Sequence, residues 1–397
     1  MHLKSKRVAA FASVAIATVA LTACSGGASG AGESEAPSTD LAVGSIDLAA
    51  AGCPATIVVQ TDWVPESEHG HLYQMIADDY TIDAEAKSVT GPLMAAGEYT
   101  GVNLEIRAGG PAVAFSGVAA TMGQDSEITM GYVGTDANVQ TSDQFAMTAV
   151  FAPLDKSPFM AMWDPETYPD VTDYGSLSDA LLESGGKLRY FGASSPYIDY
   201  MINEGIIDPA VGDGGYDGTP AAFVAAQGKD AQQGFASAEP YIYKNEVADW
   251  GKDVEYALVS DEGWDPYSSA VSVRTEELED LSGCLEAFVP VMQQAEVDFF
   301  ADSDATIDLI LDATEQYDLG YPYSQGVAEY SVETQLAEGL AGNGENDTIG
   351  DFDDERAAAF FDKAVATFEG QGTTVKEGLT ATDTYTNEFI DESIGLE

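Results

Sequence analysis

Short apolar runs alternate with helical periods along the chain, and glycine- or proline-rich turns separate them. Ala55-Thr56-Ile57-Val58-Val59-Gln60 is a compact β-branched run that predicts a strand. Val102-Asn103-Leu104-Glu105-Ile106-Arg107 alternates with period two and breaks at Ala108-Gly109-Gly110-Pro111. Further strands are predicted over 127–133, 147–153 and 159–163. The middle of the chain repeats the theme, with helices over 178–184, 197–205 and 219–227 and strands over 187–192, 233–237 and 269–274. Residues 276–300 carry an almost unbroken helical period, and the tail is largely helical apart from an acidic interruption at 342–355. Alternation of this kind predicts an α/β class. Strand ends at Asp62, Gly109 and Gly134 deliver small or polar residues to one edge of a sheet, which is where ligands of open α/β sheets bind.

The first residues form a different unit. Lys4, Lys6 and Arg7 precede an apolar stretch, 8–21, of roughly 14 residues, the length of a signal peptide and too short to span a bilayer. It ends in Leu21-Thr22-Ala23-Cys24, which is similar to a bacterial lipobox, so 1–23 are expected to be removed and Cys24 to carry the lipid. A stretch of Ser, Gly, Ala and acids then predicts a flexible tether over 24–53. The expected location is the extracytoplasmic face of the cell membrane, held by a lipid anchor.

Charge narrows the partners. The net charge of −53 repels nucleic acid, whose phosphates require clustered Lys and Arg, and argues against docking on anionic lipid. Hydrophobic residues make up 45% of the chain, enough for a folded protein despite the acidity, and the length suggests two lobes. With Cys24 lipidated, Cys53 and Cys284 remain, and two leftover cysteines outside the cytoplasm are expected to pair.

Candidate chemistry gathers in Thr61-Asp62-Trp63-Val64-Pro65-Glu66-Ser67-Glu68-His69-Gly70-His71-Leu72-Tyr73, which holds both histidines outside the leader. Imidazoles and carboxylates so close invite a metal reading, but the spacing fits no strong zinc signature. A helix start after Pro65 would account for some of the acidity, because carboxylates suit a helix N-terminus. It would not account for Trp63, Glu68-His69 and Tyr73 together, so ligand contact is the preferred reading. Gly110 and Gly134-Thr135-Asp136 can be turns or backbone donors, and Ser194-Ser195 can be a helix cap or a ligand contact. Glu239-Pro240-Tyr241 sets a carboxylate and an aromatic beside a strand end. No Gly-x-Ser-x-Gly elbow occurs and neither His69 nor His71 has an evident nucleophile beside it, so no catalytic residue and no cofactor is assigned.

These segments, with Gly131-Tyr132-Val133-Gly134-Thr135-Asp136, Phe151-Ala152-Pro153-Leu154-Asp155-Lys156-Ser157-Pro158 and Ala238-Glu239-Pro240-Tyr241, resemble the solute-binding proteins of ABC importers. The branch in question resembles thiamine-pyrimidine-precursor synthases and includes binders of such pyrimidines and riboflavin, with sulfonate, taurine and nitrate binders as relatives. The resemblance spans roughly 54–300; His71 and the acidic segment near Gly342 have no counterpart in it. It implies a two-lobe type II periplasmic-binding fold with an interlobe cleft. Lobe one would hold 54–156, lobe two 157–270, and 271–397 would return to lobe one and end in helices. It further implies a monomer that binds a small molecule and presents it to ABC permease subunits. By position, Trp63, Glu68, His69, Thr135 and Asp136 would face the cleft from lobe one, and Ser194, Ser195, Glu239 and Tyr241 from lobe two.

The ligand can be narrowed on physical grounds. Small anions need N–H-rich or positive surroundings, whereas Asp62, Glu66, Glu68, Asp136 and Glu239 stand here against Arg107 alone. The expectation is therefore a neutral or cationic nitrogen heterocycle, pyrimidine- or flavin-like. A sulfonate, taurine or nitrate, an exported enzyme on the same fold, and a purely structural or adhesive lipoprotein are the alternatives.

Overall fold

The computed structural model describes residues 41–192, 195–321 and 323–397. The strands run along the chain as β1 (Thr56–Gln60), β2 (Thr81–Asp83), β3 (Ser88–Ala95), β4 (Glu98–Arg107), β5 (Met130–Tyr132) and β6 (Met147–Phe151). They continue as β7 (Phe159–Trp163), β8 (Leu188–Arg189), β9 (Gly212–Asp213), β10 (Ala231–Phe235), β11 (Glu255–Leu258) and β12 (Val271–Arg274). Two sheets result, one ordered β2-β3-β4-β1-β5-β12-β6 and one β11-β7-β10-β8-β9. The predicted α/β class is what is observed.

Burial explains the strand sequences. β1 lies parallel between β4 and β5 at the centre of the first sheet, so Ile57, Val58, Val59 and Gln60 are all buried. Continuous apolar runs are the mark of strands covered on both faces. The helix Leu278–Ala301 covers one face, placing Leu285, Phe288, Val289 and Met292 in the same core as Ile57, Leu104 and Val273. In the second sheet β7 pairs antiparallel with both β10 and β11, while β10 and β8 are parallel. Trp163 and Tyr174 pack on one side of it, and Met160, Met162 and Phe223 on the other.

The chain passes between the sheets twice, from β6 to β7 and from β11 to β12. Arg356 ties both passages. Its Nη1 donates to Asp155 Oδ1 at 2.9 Å on the first, and its Nη2 donates to Asp265 Oδ1 at 2.9 Å on the second. The guanidinium also lies 4.1 Å from the centre of the Tyr267 ring.

Two expectations about segments need correction. The tether predicted over 24–53 does not extend that far. Leu48 is fully buried, the amides of Gly44 and Leu48 donate to Tyr99 and Thr100 carbonyls at 2.8 Å, and Cys53 is bonded to Cys284. The small polar residues that suggested a tether give way after residue 40 to a segment with apolar anchors. The tail, expected to return to lobe one and end in helices, also serves the second sheet: Phe360, Ala364 and Phe368 of the helix Asp354–Gly370 join the cluster of Trp163 and Trp264.

The disulfide joins the start of the fold to the long helix across 231 residues of sequence. Non-reducing peptide mapping is expected to recover Cys53 linked to Cys284, and reduction should destabilise the protein by about 5 kcal/mol in the chain-entropy account. Two free thiols in freshly exported protein would contradict this.

Candidate functional site

The site begins where β1 ends. Instead of a long helix, the sequence after Pro65 makes one 3-10 turn, Ser67–His69, and a five-residue helix, Gly70–Gln74. The helix stays close to its neighbours because Gly70 has no side chain; a Cβ there would lie 2.3 Å from the ring of Phe299. Glu66 precedes the turn in extended conformation and makes no cap bond with its side chain. The helix-start account of the acidity therefore does not hold for Glu66, while Glu68 does lie in the first turn. Glu66 and Glu68 are buried side chains, 7% and 5% exposed.

What they meet comes from the second sheet. Ser237 Oγ, just after β10, donates to Glu68 Oε1, a direct bond between the two halves of the fold. The other carboxylate oxygen, Oε2, is buried without a hydrogen-bond partner. Glu239 is buried as well, and its Oε2 accepts from the Phe235 amide at 2.6 Å. The third side is closed by the tail: Tyr323 OH accepts from the Ser67 amide at 2.7 Å, and Tyr321 stands against the ring of Trp63.

Burial without positive partners governs the electrostatics. Burial raises Glu66 well above the ordinary carboxylate range, and the charges of Glu68, Asp62 and Glu239 add to that. Glu239 is pushed up to about 7, again by burial first, with the bond from the Phe235 amide opposing and the charge of Glu68 reinforcing. Among the described residues, the ion pairs made by Lys and Arg run to other carboxylates, and none reaches Glu66, Glu68 or Glu239. His69 is the one basic ring at this place. Its Nε2 lies 3.0 Å from Asp62 Oδ1 and 3.9 Å from Glu66 Oε1, and Asp62 is held in turn by Ser269 Oγ at 2.6 Å.

Aromatic rings border the acids. Trp63 lies 5.9 Å from Phe115, 6.4 Å from Phe191 and 5.8 Å from Tyr321, while Phe191 lies 4.7 Å from Tyr216. Gly110, at φ +56°, seats the tryptophan; a Cβ there would stand 2.6 Å from the indole. Beside these rings a cavity of about 340 Å³ is lined by Tyr216, Glu239, Ile242, Tyr243, Glu246 and Tyr321, which is within the size range of small-molecule sites. A larger cavity of about 660 Å³, by Met75, Met94 and Pro290, contains none of the candidate residues.

The remaining candidates lie elsewhere. Tyr73 belongs to the core of the first sheet. The Thr135 hydroxyl accepts from the Tyr267 amide at 3.1 Å, and Asp136 accepts from the Ala137 amide at 2.8 Å and from the Trp264 indole, so both support the return passage between sheets. Ser195 donates to Gln233 at 3.0 Å and does not cap its helix. Tyr241 faces the tail, 5.6 Å from Tyr330 and against Gly326. Ser194 lies outside the described residues. The histidines part company: His71 Nε2 is 3.0 Å from Tyr132 OH, and its Nδ1 is 2.7 Å from Glu296, an ion-pair distance without hydrogen-bond alignment. Sequence reasoning missed Ser237, Phe115, Phe191, Tyr216, Tyr321 and Tyr323. The only signal for Tyr216 was its place in the glycine-rich loop 212–218.

No family model matches the chain, and no curated protein matches its sequence. Solved structures do resemble it. A protein of Bordetella bronchiseptica RB50 aligns with a TM-score of 0.51 at 13% identity, over 84% of this chain and 95% of that one. The ligand-binding component of an ABC-type import system from Staphylococcus aureus, with zinc bound, aligns at 0.50 and 10% identity over 85% and 99%. The periplasmic aliphatic sulphonate binding protein of Escherichia coli aligns at 0.50 and 13% over 82% and 95%. The chain has the periplasmic solute-binding fold. In this chain no group of three or more His, Cys, Asp or Glu among the described residues is arranged to hold a metal ion.

The raised Glu239 has a consequence for stability. A carboxyl with a higher pKa folded than unfolded favours folding while protonated, so its contribution is lost as pH rises from its ordinary 4.5 through about 7. The loss amounts to roughly 3 kcal/mol above neutrality. Glu239→Gln should therefore leave the Tm of unliganded protein nearly unchanged near pH ~5 and raise it by about 5 °C near pH ~8.5. Equal effects at the two pH values in thermal melts would show that the carboxyl is not held protonated.

Proposed function

We propose that this chain is the extracytoplasmic binding component of an ABC importer, anchored by lipid at Cys24, and that it delivers a small nitrogen heterocycle of pyrimidine or flavin type. In this reading the two sheets belong to two lobes, Asp155 and Asp265 mark the passages that hinge them, and closure presents the joined surface to the permease. The protein acts as a monomer. The single observation that carries the ligand class is the meeting of Glu66 and Glu68 from one lobe with Glu239 from the other, buried and away from Lys or Arg.

The fold alone supports a sulfonate or nitrate ligand equally well, since the E. coli relative is a sulphonate binder. Charge is what separates the readings. Above neutrality, where Glu239 is ionised, an anion 4 Å from that carboxylate is repelled by about 4 kcal/mol at an effective dielectric of ~20. Ring N–H and amino groups instead donate to the carboxylates, and each charge-assisted bond contributes roughly 1.5–3 kcal/mol. A recognising site rather than a reacting one also fits His69, whose Nε2 has carboxylates, not a nucleophile, as its neighbours. No helix among the described residues is long and apolar enough to cross a membrane.

Mass spectrometry of small molecules released from the purified protein is expected to show a nitrogen heterocycle. Trp63→Ala and Glu239→Ala should each weaken its binding by at least about tenfold, or ~1.4 kcal/mol. Unchanged affinity in both variants would mean that the ligand sits elsewhere.

A further inference from the structure

Among the described residues, no Lys or Arg ion pair reaches the carboxylates of this site, and His69 is the basic ring beside them. From the segment after β1 come Asp62, Glu66, Glu68 and His69; from the second sheet's side come Glu239, Glu246, Tyr216 and Tyr243; from the tail come Tyr321 and Tyr323. The tyrosines do not supply charge, because burial holds Tyr216, Tyr321 and Tyr323 well above their ordinary value. Burial likewise keeps Glu66 and Glu239 inclined toward their protonated forms.

The rings form walls rather than a stack. Tyr321 meets Trp63 at 88° and Phe191 meets it at 61°, so faces and edges converge from both sheets and from the tail. Aromatic faces attract a cation within about 6 Å, most strongly where water is excluded. Adjacent to them, Glu68 Oε2 is buried with no hydrogen-bond partner. Rings that attract positive charge and a carboxylate oxygen left unpartnered are independent features, and both favour the same kind of guest. No group of three or more His, Cys, Asp or Glu among the described residues is arranged to hold a metal ion, and a weakly hydrated, carbon-clad cation gains most from aromatic faces.

We infer that the ligand is an organic cation with a substituted nitrogen, which rests in the cavity lined by Tyr216, Tyr243, Tyr321 and Glu239 and takes the place of protons on the interlobe carboxylates. This rests on the solute-binding reading above and narrows it from nitrogen heterocycles in general to positively charged ones. Binding then releases protons, and it strengthens as pH rises because protons compete for the same oxygens. From Glu239 alone, with its carboxyl at about 7, affinity should rise about thirtyfold between pH ~5.5 and ~8.

The test uses N-methylpyridinium, choline and benzyltrimethylammonium, each against its uncharged carbon isostere, by calorimetry in buffers of different protonation enthalpy. At least one cation should bind at least about tenfold tighter than its isostere, release protons, and show the rise with pH. Glu239→Gln should flatten that rise, and Tyr216→Ala and Tyr321→Ala should weaken the cation while leaving the pH profile in place. An isostere that binds equally well overturns the inference. So does failure of every cation while riboflavin or a neutral aminopyrimidine binds, and in that case the solute-binding reading stands. If neither set binds and no small molecule compacts the protein in solution scattering, both readings fall together.

Discussion

Glu66, Glu68 and Glu239 occupy a volume from which water is largely removed, and they reach it from opposite halves of the fold. Placing carboxylates there is unfavourable in the ionised state, both because hydration is lost and because like charges face each other. Proteins usually relieve such a cost with Lys or Arg, and the cationic side chains of this one are engaged at other positions. Relief is left to protons or to a guest. The local features described above, from the short turn after Pro65 to the aromatic walls, bear on how those three side chains are held and what can approach them.

The framework keeps the acids in register while leaving their charge unsettled. The disulfide and the helix Leu278–Ala301 fix the first sheet against the start of the chain. Arg356 holds both passages between the sheets through Asp155 and Asp265, so the relation of the halves is set at a charged clamp outside the acid cluster. Within the cluster, the bond from Ser237 to Glu68 is the direct tie across the halves, and it uses a hydroxyl that can donate whatever the other carboxylates carry. The division is physical: matched charges tie the passages between the sheets, and the acid cluster lies away from them. His71, Tyr132 and Glu296 form a separate buried polar relay under the site, linked to it by the edge of Tyr132 against His69, 4.8 Å between centres.

The strands were legible because burial writes them into composition: Phe159–Trp163 is a run of apolar residues in a strand covered on both faces. The hairpin of β3 and β4 was less so, since Gly91 and Pro92 interrupt its first strand and look like a turn. Asp62, Trp63, Glu66, Glu68, His69, Gly110 and Glu239 were readable as strand-end chemistry and do come together. Thr135, Asp136 and Tyr241 carried the same signal, and their hydrogen bonds and ring contacts run to the passage between the sheets and to the tail. Phe191, Tyr216 and Tyr321 could not be chosen from sequence, because what distinguishes them is which loops the fold gathers around Trp63. Local pattern reports burial and strand ends; it does not report which distant loops meet.

The acidity of the whole chain now acquires a role distinct from that of the site. A net charge of −53 surrounds the protein with a negative potential that draws cations inward and turns small anions away. That field decays over about 8 Å at physiological salt, so it affects encounter more than residence. Residence depends on Glu66, Glu68 and Glu239, which are screened little because they are buried. A surface charge alone would concentrate any cation, sodium included. The aromatic walls make the difference, since a strongly hydrated inorganic ion gains less from leaving water for a ring than a weakly hydrated, carbon-clad one does. On the proposed reading, selectivity is thus a product of two filters in series, an outer field that sorts by sign and an inner site that sorts by hydration.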